Sequence, residues 1–83
     1  MNNKILKNLI QKASEKNWEV EGVFSVKHGE IIVLVKRENP PFKDLEYSVH
    51  TFIEDGFYNG KYDLTLKQAQ KEIKNRLGNN SLV

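Results

Sequence analysis

Apolar residues recur every three to four positions at the start of the chain. Ile5, Leu6, Leu9, Ile10 and Ala13 share one side of a helical wheel, and Lys4, Lys7, Asn8, Gln11 and Glu15 share the other. That spacing predicts an amphipathic helix from about Asn3 to Lys16. Asn2 or Asn3 supplies an N-cap, and Lys16-Asn17 supplies a stop. At Trp18 the period changes to two. Trp18, Val20, Gly22, Phe24 and Val26 alternate with Glu19, Glu21, Val23, Ser25 and Lys27, which predicts a strand with one buried and one wet face. Gly22 inside it marks a bulge or a close approach by a helix. His28-Gly29 has the residues of a two-residue hairpin turn. The next strand, Glu30 to Arg37, holds the run Ile31-Ile32-Val33-Leu34-Val35. A run that does not alternate belongs to a central strand covered on both sides.

A loop from Glu38 to Asp44 follows, stiffened by Pro40 and Pro41. A third strand is expected from about Leu45 to Glu54. Leu45, Tyr47, Val49, Thr51 and Ile53 are expected inside, and Glu46, Ser48, His50, Phe52 and Glu54 outside. Asp55-Gly56 turns the chain, and Phe57 to Tyr62 forms a short fourth strand or an ordered loop. The last element announces itself. Thr65 and Gln68 make a capping box, and Leu64 and Ala69 a hydrophobic staple. Leu66, Ala69, Ile73 and Leu77 make the apolar stripe, Glu72 and Arg76 an i,i+4 pair, and Gly78 the stop. Residues 79–83 are expected to fray. The prediction is an α+β domain in the order α-β-β-β-α, with a three- or four-stranded antiparallel sheet and two helices on one face. The other face is then open and carries Glu19, Glu21, Ser48, His50, Phe52 and Glu54.

Composition adds limits. Eighty-three residues make a single domain, ordered over about 3–78, with 39% apolar and 29% charged residues. The chain has no cysteine, which excludes a disulfide scaffold, a thiolate metal site and a cysteine nucleophile. No apolar run approaches the ~20 residues of a membrane span. Charges scattered through the first seventeen residues predict no signal peptide, and the expected location is cytoplasmic. The net charge of +2, from 13 Lys+Arg against 11 Asp+Glu, is too balanced to demand nucleic acid and argues against an acidic DNA mimic.

Candidate chemistry is sparse. Ser48, His50 and Glu54 share a strand parity, but a nucleophile relay needs contact distances and alternate residues on a strand are about 7 Å apart. No triad is predicted. His28 reads as a turn residue. Two separated histidines without cysteine give no metal-ligand spacing, and Glu54, Asp55 and Asp63 do not match a calcium loop. Gly56 and Gly60 are hairpin-style glycines, not a phosphate cradle. No catalytic, cofactor or metal residues are therefore expected. Two surfaces remain. Phe52, Phe57, Tyr58 and Tyr62 form either an exposed contact patch or a lid over the core. With His50 and Lys61 they make the expected partner-binding set. Lys67, Lys71 and Lys74 form a ridge on the last helix, either a solvated face or a contact for nucleic acid or another anionic partner.

The α-β-β-β-α order resembles the double-stranded-RNA-binding domain. In that family lysines opening the last helix grip phosphates, and Lys67 and Lys71 in Thr65-Leu66-Lys67-Gln68-Ala69-Gln70-Lys71 match them. The resemblance implies an RNA-binding role for that helix. Small mRNA-cleaving toxins have a similar order and use a histidine near the first hairpin, the place of His28. The segment Tyr47-x-Val49 … Gly56-Phe57-Tyr58-x-Gly60-x-Tyr62 … Ala69 … Arg76 also looks like short phage and mobile-element proteins of low-GC bacteria. That likeness implies an accessory role, with inhibition of a host defence protein such as a CRISPR effector as its concrete form. The sequence reading is a non-enzymatic binding module, monomeric or dimeric, acting by protein–protein contact; the alternative is a nucleic-acid-binding domain.

Overall fold

The structure is a computed structural model and describes residues 3–25 and 29–81. Helix α1 (Asn3–Glu15) leads into β1 (Trp18–Ser25), β2 (Ile31–Arg37), β3 (Tyr47–Ile53), β4 (Gly56–Leu64) and α2 (Leu66–Ser81). The strands form one antiparallel sheet in the order β1-β2-β3-β4. The α+β class and the open antiparallel sheet are those the alternation predicts. The stretch left between strand and loop is a full fourth strand. His28, with Val26 and Lys27, lies outside the described residues, while Gly29 takes the left-handed φ of 77° that a tight turn asks of glycine.

The helices do not share a face. Ile31, Val33, Val35 and Phe52 pack with Ile5 and Leu9 of α1, whereas Ile32, Leu34, Val49 and Leu64 pack with Ala69 and Ile73 of α2. Neighbouring residues on a strand point to opposite sides. The two helices therefore cover opposite faces of the inner strands, and the expected arrangement of both on one face is corrected. The reason lies in β2 and β3. Five consecutive residues of β2 and five of β3, Ser48 to Phe52, are buried, so both sides of the sheet need cover. There is no open face carrying Ser48, His50 and Phe52.

Bulges redirect the edge strands. In β1, Val20 pairs with Val35 but Gly22 pairs with Leu34, leaving Glu21 as the extra residue. Trp18, Val20 and Val23 thus face α1, while Gly22 and Phe24 turn to the α2 side. In β4 the register slips twice, at Asn59 (φ 53°) and Asp63 (φ 58°). Asn and Asp tolerate the left-handed region better than most residues. The hairpin before β4 turns at Glu54-Asp55 and not at Asp55-Gly56, because Gly56 already pairs with Ile53.

The start of α2 is as the sequence predicts. The Thr65 amide donates to Gln68 Oε1 at 2.9 Å and the Gln68 amide to Thr65 Oγ1 at 3.1 Å, a reciprocal capping box. Its end is later than predicted. Gly78 is not among the residues with positive φ, so it continues the right-handed helix, and α2 runs on to Ser81. Of the residues expected to fray, 79–81 belong to the helix, and Leu82 and Val83 lie outside the described residues.

Candidate functional site

Beyond the C-terminal end of α1, aromatic side chains cover the sheet. Trp18 stacks on His50 with centroids 4.4 Å apart at 24°. Phe57 meets Trp18 edge-on at 5.3 Å, and Tyr62 meets His50 edge-on at 5.0 Å. Phe52 touches Phe57 from beneath at 4.9 Å. Offset and edge-on pairs are the favourable geometries for rings with this quadrupole. The cluster joins β1, β3 and β4 through contacts distant in sequence. Gly60 makes it possible. A Cβ at that position would lie 2.7 Å from His50 Nδ1 and 2.9 Å from Tyr62 Cε2, so only glycine lets the β4 backbone rest on the imidazole.

His50 is 1% exposed. Ser48 Oγ and His50 Nε2 share a hydrogen bond of 2.9 Å. The rule of alternate residues lying too far apart is thus corrected for this pair: the two side chains lean together within the sheet. Glu54, the third member of that parity, sits exposed in the turn, and no relay is assembled. Burial, then the positive charges of Arg76, Arg37 and Lys16, lowers the His50 pKa from 6.5 to about 4. The ring is neutral at physiological pH. Ser48 is fully buried, so no substrate reaches its hydroxyl.

Two arginines fix β4. Arg76 of α2 donates to Thr51 Oγ1 at 3.0 Å, to the Asn59 carbonyl at 2.5 Å and to Glu72 Oε2 at 2.7 Å. It latches the helix to the first bulge. Burial alone would raise the Glu72 carboxyl, but the hydrogen bond and charge of Arg76, with help from Lys61, hold it below the usual range. Arg37 pairs with Asp63 at the second bulge and lies 5.5 Å from the Tyr62 ring centre.

The six residues expected at a partner surface separate. Phe52 is 0% exposed and, like His50, belongs to the interior. Both are corrected as contact residues, since α1 and Trp18 cover the face on which they lie. Tyr58 and Tyr62 are 52% and 47% exposed, and Phe57 is half-buried. Lys61 is exposed and turns towards α2, its Nζ 3.4 Å from Glu72 Oε1. Tyr58 and Tyr62 line a groove of about 500 Å³ with Lys16, Trp18, Phe57 and Gly60, between the end of α1 and the β4 edge. His50 forms part of its floor. The choice between lid and patch resolves residue by residue: Phe57 closes the core, and the two tyrosines stay outside. The sequence does not signal the parts that Trp18, Arg37 and Arg76 play here. Trp18 reads as core from its parity, and only the i,i+4 partner of Arg76 was visible.

Lys67, Lys71 and Lys74 are exposed on α2, and none has a carboxylate within 4 Å among the described residues. Among the described residues no group of three or more His, Cys, Asp or Glu is placed to hold a metal, and no helix is long and apolar enough to cross a membrane. Comparison with protein-family models, with curated proteins and with solved structures returns no match.

Proposed function

We propose that this protein is a non-enzymatic binding module that grips a partner protein along the β4 edge. The observation that carries the reading is the pair of half-exposed tyrosines, Tyr58 and Tyr62, presented on a strand that two arginines hold in place. Aromatic side chains on a rigid frame lose little conformational entropy on contact and are enriched in binding hot spots. Trp18 and Phe57 extend the apolar floor of the groove, and Lys12, Lys16, Glu15 and Asp55 place charges of both signs along its lining. The burial of Ser48 and the neutral His50 supports a structural role for the one histidine with polar company. The likeness to phage and mobile-element proteins gives the reading its concrete form, a stoichiometric inhibitor of a host defence protein.

The test is affinity capture from nuclease-treated bacterial lysate, wild type against Tyr58→Ala. A protein retained in stoichiometric amount by the wild type and lost by the variant, with unfolding midpoints unchanged, supports the reading. Equal retention by both defeats it. A second reading, nucleic-acid binding by α2, is favoured by Lys67, Lys71 and Lys74, exposed and with no carboxylate within 4 Å among the described residues. It requires retention that vanishes with nuclease and with modest salt.

A further inference from the structure

Helix α2 sits off-centre on its face. It packs chiefly on β2, β3 and β4 and, among the described residues, leaves a gap between itself and β1. The gap is a groove of about 530 Å³ lined by Phe24, Gln70, Ile73, Lys74, Leu77 and Gly78. Its floor is aromatic. The Glu21 bulge turns Phe24 to this side, and the ring folds back over Gly22, where an added Cβ would meet it at 3.2 Å. Phe24 stays 37% exposed, and Leu66, a further apolar residue on the same flank of α2, is exposed as well.

The outer wall is charged with one sign. The exposed residues of α2 between 66 and 75 are Leu66, Lys67, Gln68, Gln70, Lys71, Lys74 and Asn75, three cations and no acid. The helix's one carboxylate, Glu72, is turned to Arg76 and Lys61 and neutralised there. On a wheel at 100° per residue, Lys67 and Lys74 lie beside Gln70, on the lip of the groove, and Lys71 lies just behind them. An apolar trough whose basic rim has no carboxylate within 4 Å among the described residues complements a segment of opposite pattern.

We propose that the α2–β1 groove docks an acidic segment of a partner protein that carries apolar anchor residues. The anchors enter over Phe24, Ile73 and Leu77, and the carboxylates face Lys67, Lys71 and Lys74. This surface lies on the opposite side of the sheet from the Trp18–Tyr62 groove and stands independently of it. The apolar trough favours peptide over nucleic acid, whose phosphates need the lysines but leave Ile73 and Leu77 without a matching group.

The experiment uses fluorescence anisotropy of a fluorescein-labelled acidic peptide with Leu and Phe at i and i+4. A version with lysine for every acid and a single-stranded RNA oligomer run beside it. The expected result is binding of the acidic peptide alone. Lys71→Glu/Lys74→Glu should weaken it about tenfold, from two reversed rim charges. Phe24→Ala should weaken it while Tyr58→Ala leaves it unchanged. Amide shifts in a titration should centre on Phe24, Ile73 and Leu77. The double charge reversal is on the solvent side of α2 and keeps the test valid if Phe24→Ala unfolds. Equal binding of the two peptides, tighter salt-dependent binding of the RNA, or no shift at those amides with the acidic peptide at millimolar concentration overturns the proposal.

Discussion

Acidification should loosen this fold through one residue. In the folded chain His50 is buried against Trp18 and bonded to Ser48, and it stays neutral down to about pH 4 instead of 6.5. The unfolded chain exposes the imidazole, which takes up a proton near pH 6.5. Between those values the unfolded state binds more protons, so stability falls as pH falls from 6.5 towards 4. The gap is worth about 3 kcal/mol when fully expressed, and about 1.4 kcal/mol at pH 5.5, one pH unit below the free value. A domain of this size has a stability on the order of 5 kcal/mol, so the loss is large. The assay is urea unfolding at pH 7.5 and 5.5 and constant ionic strength, for the wild type and for His50→Phe. The variant keeps a ring against Trp18 but cannot titrate, and its pH response carries every other group. The wild type should lose about 1.4 kcal/mol more than the variant across that interval. Equal losses would refute the reasoning, because His50 would then be as free to ionise in the fold as in the open chain.

Other substitutions probe the same frame. Gly60→Ala drives a methyl into the His50 ring and should cost about 2 kcal/mol, read from the urea midpoint; an unchanged midpoint would show that β4 does not rest on the imidazole. Arg76→Ala removes the bonds to Thr51, Asn59 and Glu72 and should cost about 2 kcal/mol, with faster amide exchange in β4 as its local signature. Thr65→Ala removes the N-cap and should lower stability by about 1 kcal/mol, whereas Thr65→Ser should restore most of it.

What the sequence makes legible is local. The Thr65–Gln68 box is written in four residues, and both of its hydrogen bonds form. The run Ile31 to Val35 marks an inner strand because no wet face fits it. The faces were harder. Ser48, His50 and Glu54 read as an outer side, and Phe52 among them was the one discordant residue. It lies on the α1 side, under a cover that comes from Ile5, Leu9 and Trp18, far away in sequence. Strand β4 was ambiguous because Asn59 and Asp63 each add a residue and break its alternation. The Glu21 bulge did the same in β1, so Trp18 and Phe24, equal in parity, ended on opposite sides. The groove between α1 and β4 depends on all of these slips, and none of them is a property of a short window.

The reading of β4 as a partner-binding edge is tested most directly by hydrogen–deuterium exchange on the chain, free and bound to its captured protein. Amides on the outer side of an edge strand have no ladder partner and exchange readily. Binding at the tyrosine edge should slow exchange across Gly56–Leu64, with α2 unaffected by that protein. Protection confined to α2, or β4 amides that exchange equally fast in both states, would contradict the account.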